Sequence, residues 1–481
     1  MNNRKHKSKR QFKSKFKAKN KSNKGNEYKK KSEYKKDVVE VKCIGMDEQG
    51  KGIVVYRNEE VTVPYLLKGE TADIEICKNG RNIEGNIVKI KEKSKYRVTP
   101  KCPYYNKCGG CQIQHMSYDG QLEFKQKSVE QVMKPFGKVN KIIGMKDPYY
   151  YRNKAYATYA YSKNKQIVSG FYEENSHRII PVKKCIIQHT KADEINTSIR
   201  DLMKSFKMRP YDEDRNEGFL RHVLVKVGFS TNEVMVVLVT STIIFPSKKN
   251  FVKALLKKHP EITTIVMNIN NRKTSMVLGD REKVLYGKGT IKDDLCDCTF
   301  NISSKSFYQV NPIQTQILYD TAIDMADFNG NEVVMDAYSG IGTIGLIVSK
   351  NVKSVIGVEL NKAAVKDAIM NAKINNIKNA YFYEGDAGDF MVRMAENREK
   401  LDVVIMDPPR TGSNEKFLTS VVKIRPKKII YISCNHITQA RDLKILTKYG
   451  YKVEEIQPVD MFPQTGHVEV VTLLTRNEKT Q

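Results

Sequence analysis

"EVVMDAYSGIGTIGL", Glu332 to Leu346, decides the fold. A β-branched run ends at Asp336, and Gly340, Gly342 and Gly345 then fill a G-x-G-x-x-G turn between a strand and its helix. Glycine lets the backbone turn tightly and approach a ligand, and the helix start offers free N–H groups. Downstream, the strand runs "SVIGVEL", "AYFYEG", "LDVVIMD" and "KKIIYISC" alternate with segments of helical spacing, such as Val365, Ile369 and Ala372 at i, i+4 and i+7. Strand and helix in alternation predict a mostly parallel sheet with helices on both faces and a ligand at the carboxyl ends of the strands.

Four acids fall at that edge: Asp336, Glu359, Asp386 and Asp407. In a dinucleotide enzyme the turn would hold a pyrophosphate and Glu359 a ribose. S-adenosylmethionine needs the same turn and ribose-binding acid but has no pyrophosphate; its cationic sulfonium and amino group make further acids welcome. "MDPPR", Met406 to Arg410, adds a stiff corner, because proline neither continues a central strand nor donates an N–H. D-P-P recurs in methyltransferases acting on nucleobases, and those that methylate exocyclic amines usually follow it with an aromatic residue; here Arg410 follows.

In "KKIIYISCNHITQA", Cys434 sits where a buried strand meets its loop. A structural thiol is the plain reading. The other rests on chemistry: carbon 5 of a pyrimidine attacks a methyl sulfonium only after a thiolate has added to carbon 6, and a base must then remove the carbon 5 proton. Glu469 in "QTGHVEVV", beside His467, is the candidate base. By strand alternation alone it could equally face water.

The rest of the 481-residue chain bounds the partner. Its formal net charge is +29, which favours a polyanion, nucleic acid before anionic membrane. Residues 1–36 hold 16 Lys or Arg against Glu27 and Glu33, a net +14; the prediction is a disordered basic tail, solubilising or RNA-binding. Five short strand runs between Val38 and about Lys93 predict a small closed β-barrel of the OB type, and a generic docking barrel is the alternative. "HVLVKVGF" and "EVMVVLVT" read as a hairpin, and "YYYRNKAYATYAYSKNK", Tyr149 to Lys165, interleaves bases and aromatics as an RNA surface does, though plain sheets are Tyr-rich too. Nine cysteines are too few and too uneven for a disulfide scaffold. With no secretory segment and no apolar run long enough to span a bilayer, the expectation is a cytoplasmic protein. Cys102, Cys108 and Cys111 cluster as C-x5-C-x2-C, with Cys185 a possible fourth; the spacing favours iron–sulfur ligation and leaves zinc open.

"SFYQVN" (Ser306 to Asn311), "DAYSGIGTIGL", "MDPPR", "ISCN" and "HVE", in this order, resemble the catalytic domain of the RNA uracil-5 methyltransferase family. The resemblance implies S-adenosyl-L-methionine contacts from Gln309, Tyr338, Glu359 and Asp407, with Asp386 a further one, Cys434 as nucleophile and Glu469 as proton acceptor. Thr343 stands where some members carry Asn. The cysteines and the barrel resemble the branch that methylates bacterial 23S ribosomal RNA. That implies a TRAM barrel and a structural 4Fe-4S cluster on Cys102, Cys108, Cys111 and Cys185. The expected organisation is a tail at 1–37, a TRAM-like barrel at 38–95, a central α/β RNA-binding domain with the iron–sulfur cysteines at 96–305 and a Rossmann-like methyltransferase domain at 306–481. The expected activity is 5-methyluridine formation in 23S RNA by a monomer with no membrane partner. A transfer-RNA enzyme, a noncatalytic ribosome-assembly protein and an iron–sulfur oxidoreductase are the rivals.

Overall fold

Three sheets and a hairpin follow one another along the chain. The computed structural model describes residues 38–79, 82–173, 176, 178–274 and 276–477; the basic tail expected at 1–37 lies outside them. The first sheet holds β1 (Val38–Lys42), β2 (Gly45–Met46), β3 (Gly52–Tyr56), β4 (Glu59–Val63), β5 (Thr71–Asn79) and β6 (Asn82–Glu92), in the order β1-β5-β6-β4-β3-β2. Alternating Val41, Val54, Val61, Val63 and Ile74 point inward and form its own small core. The expected closed five-stranded barrel is corrected on two counts. Gly45–Met46 adds a sixth strand, and among the described residues no pairing joins β1 to β2, so the layer is a half-barrel.

Helix α1 (Tyr118–Met133) precedes a second sheet of β7 (Lys154–Tyr161), β8 (Ile167–Tyr172), β9 (Ile179–Pro181), β10 (Leu220–Val227), β11 (Val234–Thr240), β12 (Ile262–Ile269) and β13 (Arg281–Tyr286), with α2 (Thr190–Ser205) and α3 (Lys248–Lys258). Its order is β13-β12-β11-β10-β7-β8-β9. β10 and β11 form the expected hairpin, buried along their whole length. A separate hairpin follows, β14 (Thr290–Leu295) with β15 (Cys298–Ser303).

The third sheet is built from β16 (Val333–Ala337), β17 (Ser354–Glu359), β18 (Ala380–Glu384), β19 (Val403–Met406), β20 (Lys428–Ser433), β21 (Tyr451–Val459) and β22 (Glu469–Arg476). Its helices are α4 (Pro312–Ala326), α5 (Thr343–Val348), α6 (Lys362–Ile374), α7 (Ala387–Glu396), α8 (Glu415–Ile424) and α9 (His436–Lys448). The order is β18-β17-β16-β19-β20-β22-β21. β16 to β20 run parallel as expected, and β22 inserts antiparallel between β20 and β21. Separate apolar cores cover the two faces of this sheet, and α1 contributes Val129 and Met133 to one of them. Within α6, Val365 and Ala372 are buried but Ile369 is 40% exposed, so the inward stripe is narrower than the spacing suggested. Among the described residues no helix is long and apolar enough to cross a membrane.

Candidate active site

The turn after β16 is shaped by glycine where side chains would not fit. Gly342 has φ +81°, and a Cβ there would stand 2.8 Å from the Phe382 ring. Gly340 has φ +56°, and a Cβ there would meet nothing within 4 Å, so backbone faces open space at the strand edge. The acids around it brace the turn. Glu359, the last residue of β17, accepts the N–H of Gly340 (3.0 Å) and of Asn361 (2.7 Å). Asp336, buried near the end of β16, accepts the Gly345 N–H at 2.9 Å, and burial still pushes its carboxyl up to about 7. Asp386 is exposed and caps α7 through the Asp389 N–H at 3.0 Å. Tyr338, at φ +69°, lays its ring against Phe417 and its hydroxyl 3.1 Å from Ser413 Oγ, within the field of Asp386. Thr343 opens α5, half-buried. Gln309 stands apart on the loop before α4. Its carbonyl accepts Asn153 Nδ2 at 3.0 Å, and among the described residues no hydrogen bond ties it to these acids.

A second group lies where β19, β20 and β22 end. β20 and β22 pair through Ser433↔Val470, and one step further in the same register brings Cys434 opposite Glu469. Asp407 directly follows β19, half-buried, and Glu469 is 4% exposed, which settles the side to which it points. Among the described residues neither carboxylate accepts a hydrogen bond. Burial pushes the Glu469 carboxyl well above its ordinary range, and the negative field of Asp407 adds to this; burial likewise raises Asp407. Two such carboxyls do not both ionise readily without a cation. Burial, followed by the fields of Glu469 and Asp407, lifts the Cys434 thiol to about 11, while the Arg410 guanidinium pulls it back down.

Arg410 is the residue whose place here the sequence left unread. Its backbone carbonyl accepts Asn435 Nδ2 (3.3 Å) and Thr438 Oγ1 (3.1 Å), which staples the proline corner to the corner after β20. Asn435 also caps α9 through the Ile437 N–H at 3.0 Å. The available signal was its position, three residues past Asp407 on a corner that prolines hold stiff.

The four clustered cysteines are all half-buried and unbridged. Cys102, Cys108, Cys111 and Cys185 line one cavity of about 800 Å³ that Arg152 and Tyr156 also border. Burial raises Cys111 to about 12, and the other three sulfurs push it the same way. Among the described residues no three His, Cys, Asp or Glu side chains converge closely enough to hold one metal ion.

Residues 117–477 match the family described as tRNA (Uracil-5-)-methyltransferase. An RNA methyltransferase of Clostridium acetobutylicum is 44% identical over 438 residues, covering 89% of this chain and 95% of its own. One from Caldanaerobacter subterraneus subsp. tengcongensis is 43% identical over 442 residues, covering 91% and 98%. Among solved structures, the Pyrococcus abyssi tRNA (uracil-54, C5)-methyltransferase, in complex with S-adenosyl-L-homocysteine, superposes with a TM-score of 0.74 at 27% identity, over 91% of this chain and 100% of that one.

Proposed function

The chain belongs to the tRNA (uracil-5-)-methyltransferase family and is an S-adenosylmethionine-dependent RNA methyltransferase of the uracil-5 type, and on that premise we propose that Cys434 is its nucleophile and Glu469 its proton acceptor. The carrying observation is their juxtaposition across β20 and β22 beside Asp407 and Arg410. Cys434 Sγ forms a bond to carbon 6 of an extruded uracil, and the displaced electron pair moves onto the carbon 4 oxygen as an enolate. Bound S-adenosyl-L-methionine supplies an electrophilic methyl group on a sulfonium. Carbon 5 takes that methyl as the enolate collapses, while the broken methyl–sulfur bond leaves its electron pair on the donor's sulfur, which departs as a neutral thioether. Glu469 then accepts the carbon 5 proton, the freed pair restores the 5,6 double bond, and Cys434 leaves as thiolate. Arg410 favours the thiolate at both ends of the cycle.

Tyr338, Glu359, Asp386 and Asp407 form the donor side of the pocket, with open space over Gly340 for the ligand, and Gln309 is a further contact to it. Cys102, Cys108, Cys111 and Cys185 hold a 4Fe-4S cluster; the methyl transfer needs no electrons, so its role is structural. The half-barrel is the TRAM element, and the protein works in the cytoplasm as a monomer.

A uridine of 23S ribosomal RNA is our first reading of the substrate, resting on the resemblance of the cysteine frame and half-barrel to the ribosomal branch. Transfer RNA is the second, and one observation favours it: the Pyrococcus enzyme that superposes over 91% of this chain acts on tRNA, and that span is too long to omit the half-barrel. Purified protein assayed on unmodified 23S RNA and on unmodified tRNA, with mass analysis of the nucleoside, separates them. 5-Methyluridine in 23S RNA alone supports the first, in tRNA alone the second, and no 5-methyluridine in either sinks the reaction as drawn.

A further inference from the structure

The segment 460–468 joins β21 to β22 and delivers Glu469. It is gripped from several sides. Asp460 accepts Lys125 Nζ at 2.5 Å and the Tyr118 hydroxyl at 2.9 Å, both from α1, and the Lys125 and Asp460 side chains are wholly buried. Lys125 also donates to the Phe462 carbonyl at 3.1 Å. Gln464 and Gln121 exchange two bonds, Gln464 N–H to Gln121 Oε1 (2.9 Å) and Gln121 Nε2 to Gln464 Oε1 (3.0 Å). Asn311 Nδ2 donates to the Met461 carbonyl at 3.0 Å.

The remaining grips come from the cysteine frame. The N–H groups of Gln112 and Ile113, which follow Cys111, both donate to the Gln464 carbonyl at 3.2 Å. Tyr151 is fully buried in a small core against which Cys111 and Cys185 pack, and its hydroxyl donates to the Pro463 carbonyl at 2.9 Å. Gln464 holds φ +72°, a left-handed conformation that a non-glycine residue keeps only where its surroundings impose it.

We propose that Tyr151 and Gln464 are positioning residues through which the cysteine frame holds Glu469 within reach of a uracil bonded to Cys434. This rests on the roles given above to Cys434 and Glu469. The two half-reactions depend on the frame unequally. Capture needs Cys434, which the parallel sheet places; release needs Glu469, which enters from the gripped segment, and proton transfer falls off steeply once the base leaves hydrogen-bond reach. Loosening the frame therefore slows release more than capture. Methyl transfer without release leaves carbon 5 carrying both its hydrogen and the methyl group, with the carbon 6–sulfur bond intact.

The test uses the full chain with unmodified 23S RNA and unmodified tRNA tritiated at uracil carbon 5. Methyl incorporation, tritium release and protein-bound RNA on a denaturing gel are read together. Tyr151→Phe keeps the ring and loses one hydroxyl; Gln464→Asn tolerates the left-handed backbone and breaks the exchange with Gln121. In each, covalent adduct per methyl transferred should rise about tenfold, the scale of one lost buried hydrogen bond, with RNA affinity unchanged. A purely structural role lowers melting temperature and every step together, leaving that ratio at the parent value. Glu469→Gln is the reference. Adduct accumulation there with parent-like ratios in both Tyr151→Phe and Gln464→Asn overturns this proposal alone; no accumulation in Glu469→Gln overturns the base assignment beneath it.

Discussion

Cys434 and two cysteines of the frame, Cys111 and Cys185, carry the same perturbation and sit in different surroundings. Burial lifts the Cys434 thiol to about 11, Cys185 to about 11 and Cys111 to about 12. A raised thiol is thus no mark of a role. The secondary causes differ: Cys434 feels two carboxyls and a guanidinium, whereas Cys111 feels three other sulfurs. Carboxyls beside a thiol give a proton somewhere to go. Sulfurs beside sulfurs only help to hold one another protonated.

The sharpest break of that contrast is Cys434→Ala. It should cut methylation by roughly 10⁴-fold or more and abolish the RNA adduct, while iron bound per chain stays at the parent level; continued turnover would erase the distinction between the two kinds of sulfur. Glu469→Gln should lower turnover by about 10²-fold or more, with a denaturant-stable protein–RNA band as the readout. Cys185→Ser acts from the other side: bound iron and sulfide should fall to a small fraction, and the thermal midpoint with them, while Cys434 still alkylates. Arg410→Gln removes the cation that opposes burial at Cys434, so the pH of half-maximal adduct formation should move upward by about one unit. The smallest effect is on stability. The folded state raises the Glu469 carboxyl above its ordinary value near 4.5, so folding favours the protonated form and its cost appears as pH climbs past that value. Glu469→Gln should therefore melt higher than the parent at pH 8, and the gap should close toward pH 4.5.

Much of the C-terminal sheet was readable because β16, β19 and β20 are near-continuous apolar runs that end near Asp336, at Asp407 and at Cys434, the signature of strands buried on both faces. The glycine turn was readable for a similar local reason. What the sequence did not reveal was long-range. Glu469 alternates like a surface residue, and its burial follows from β22 wedging between β20 and β21, a pairing no local pattern announces. Lys125 looks like one more exposed lysine on a helix until Asp460, in a distant part of the chain, closes on it. Ile369 fitted the helical period but faces outward, because α6 needs only Val365, Ala368 and Ala372 against its neighbours. The short β2 escaped notice because two residues carry no period.

The insertion of β22 also imposes an order of events on a chain emerging from the ribosome. Cys434 is made before Glu469, and under the roles proposed for them a chain that attacked uracil without the acid would fasten itself to RNA. Until β22 arrives, β20 and β21 lack the strand that lies between them, so the thiol has no finished wall to stand on. The same strand that completes the architecture carries Glu469, so on that reading the means of attack and the means of letting go are finished together.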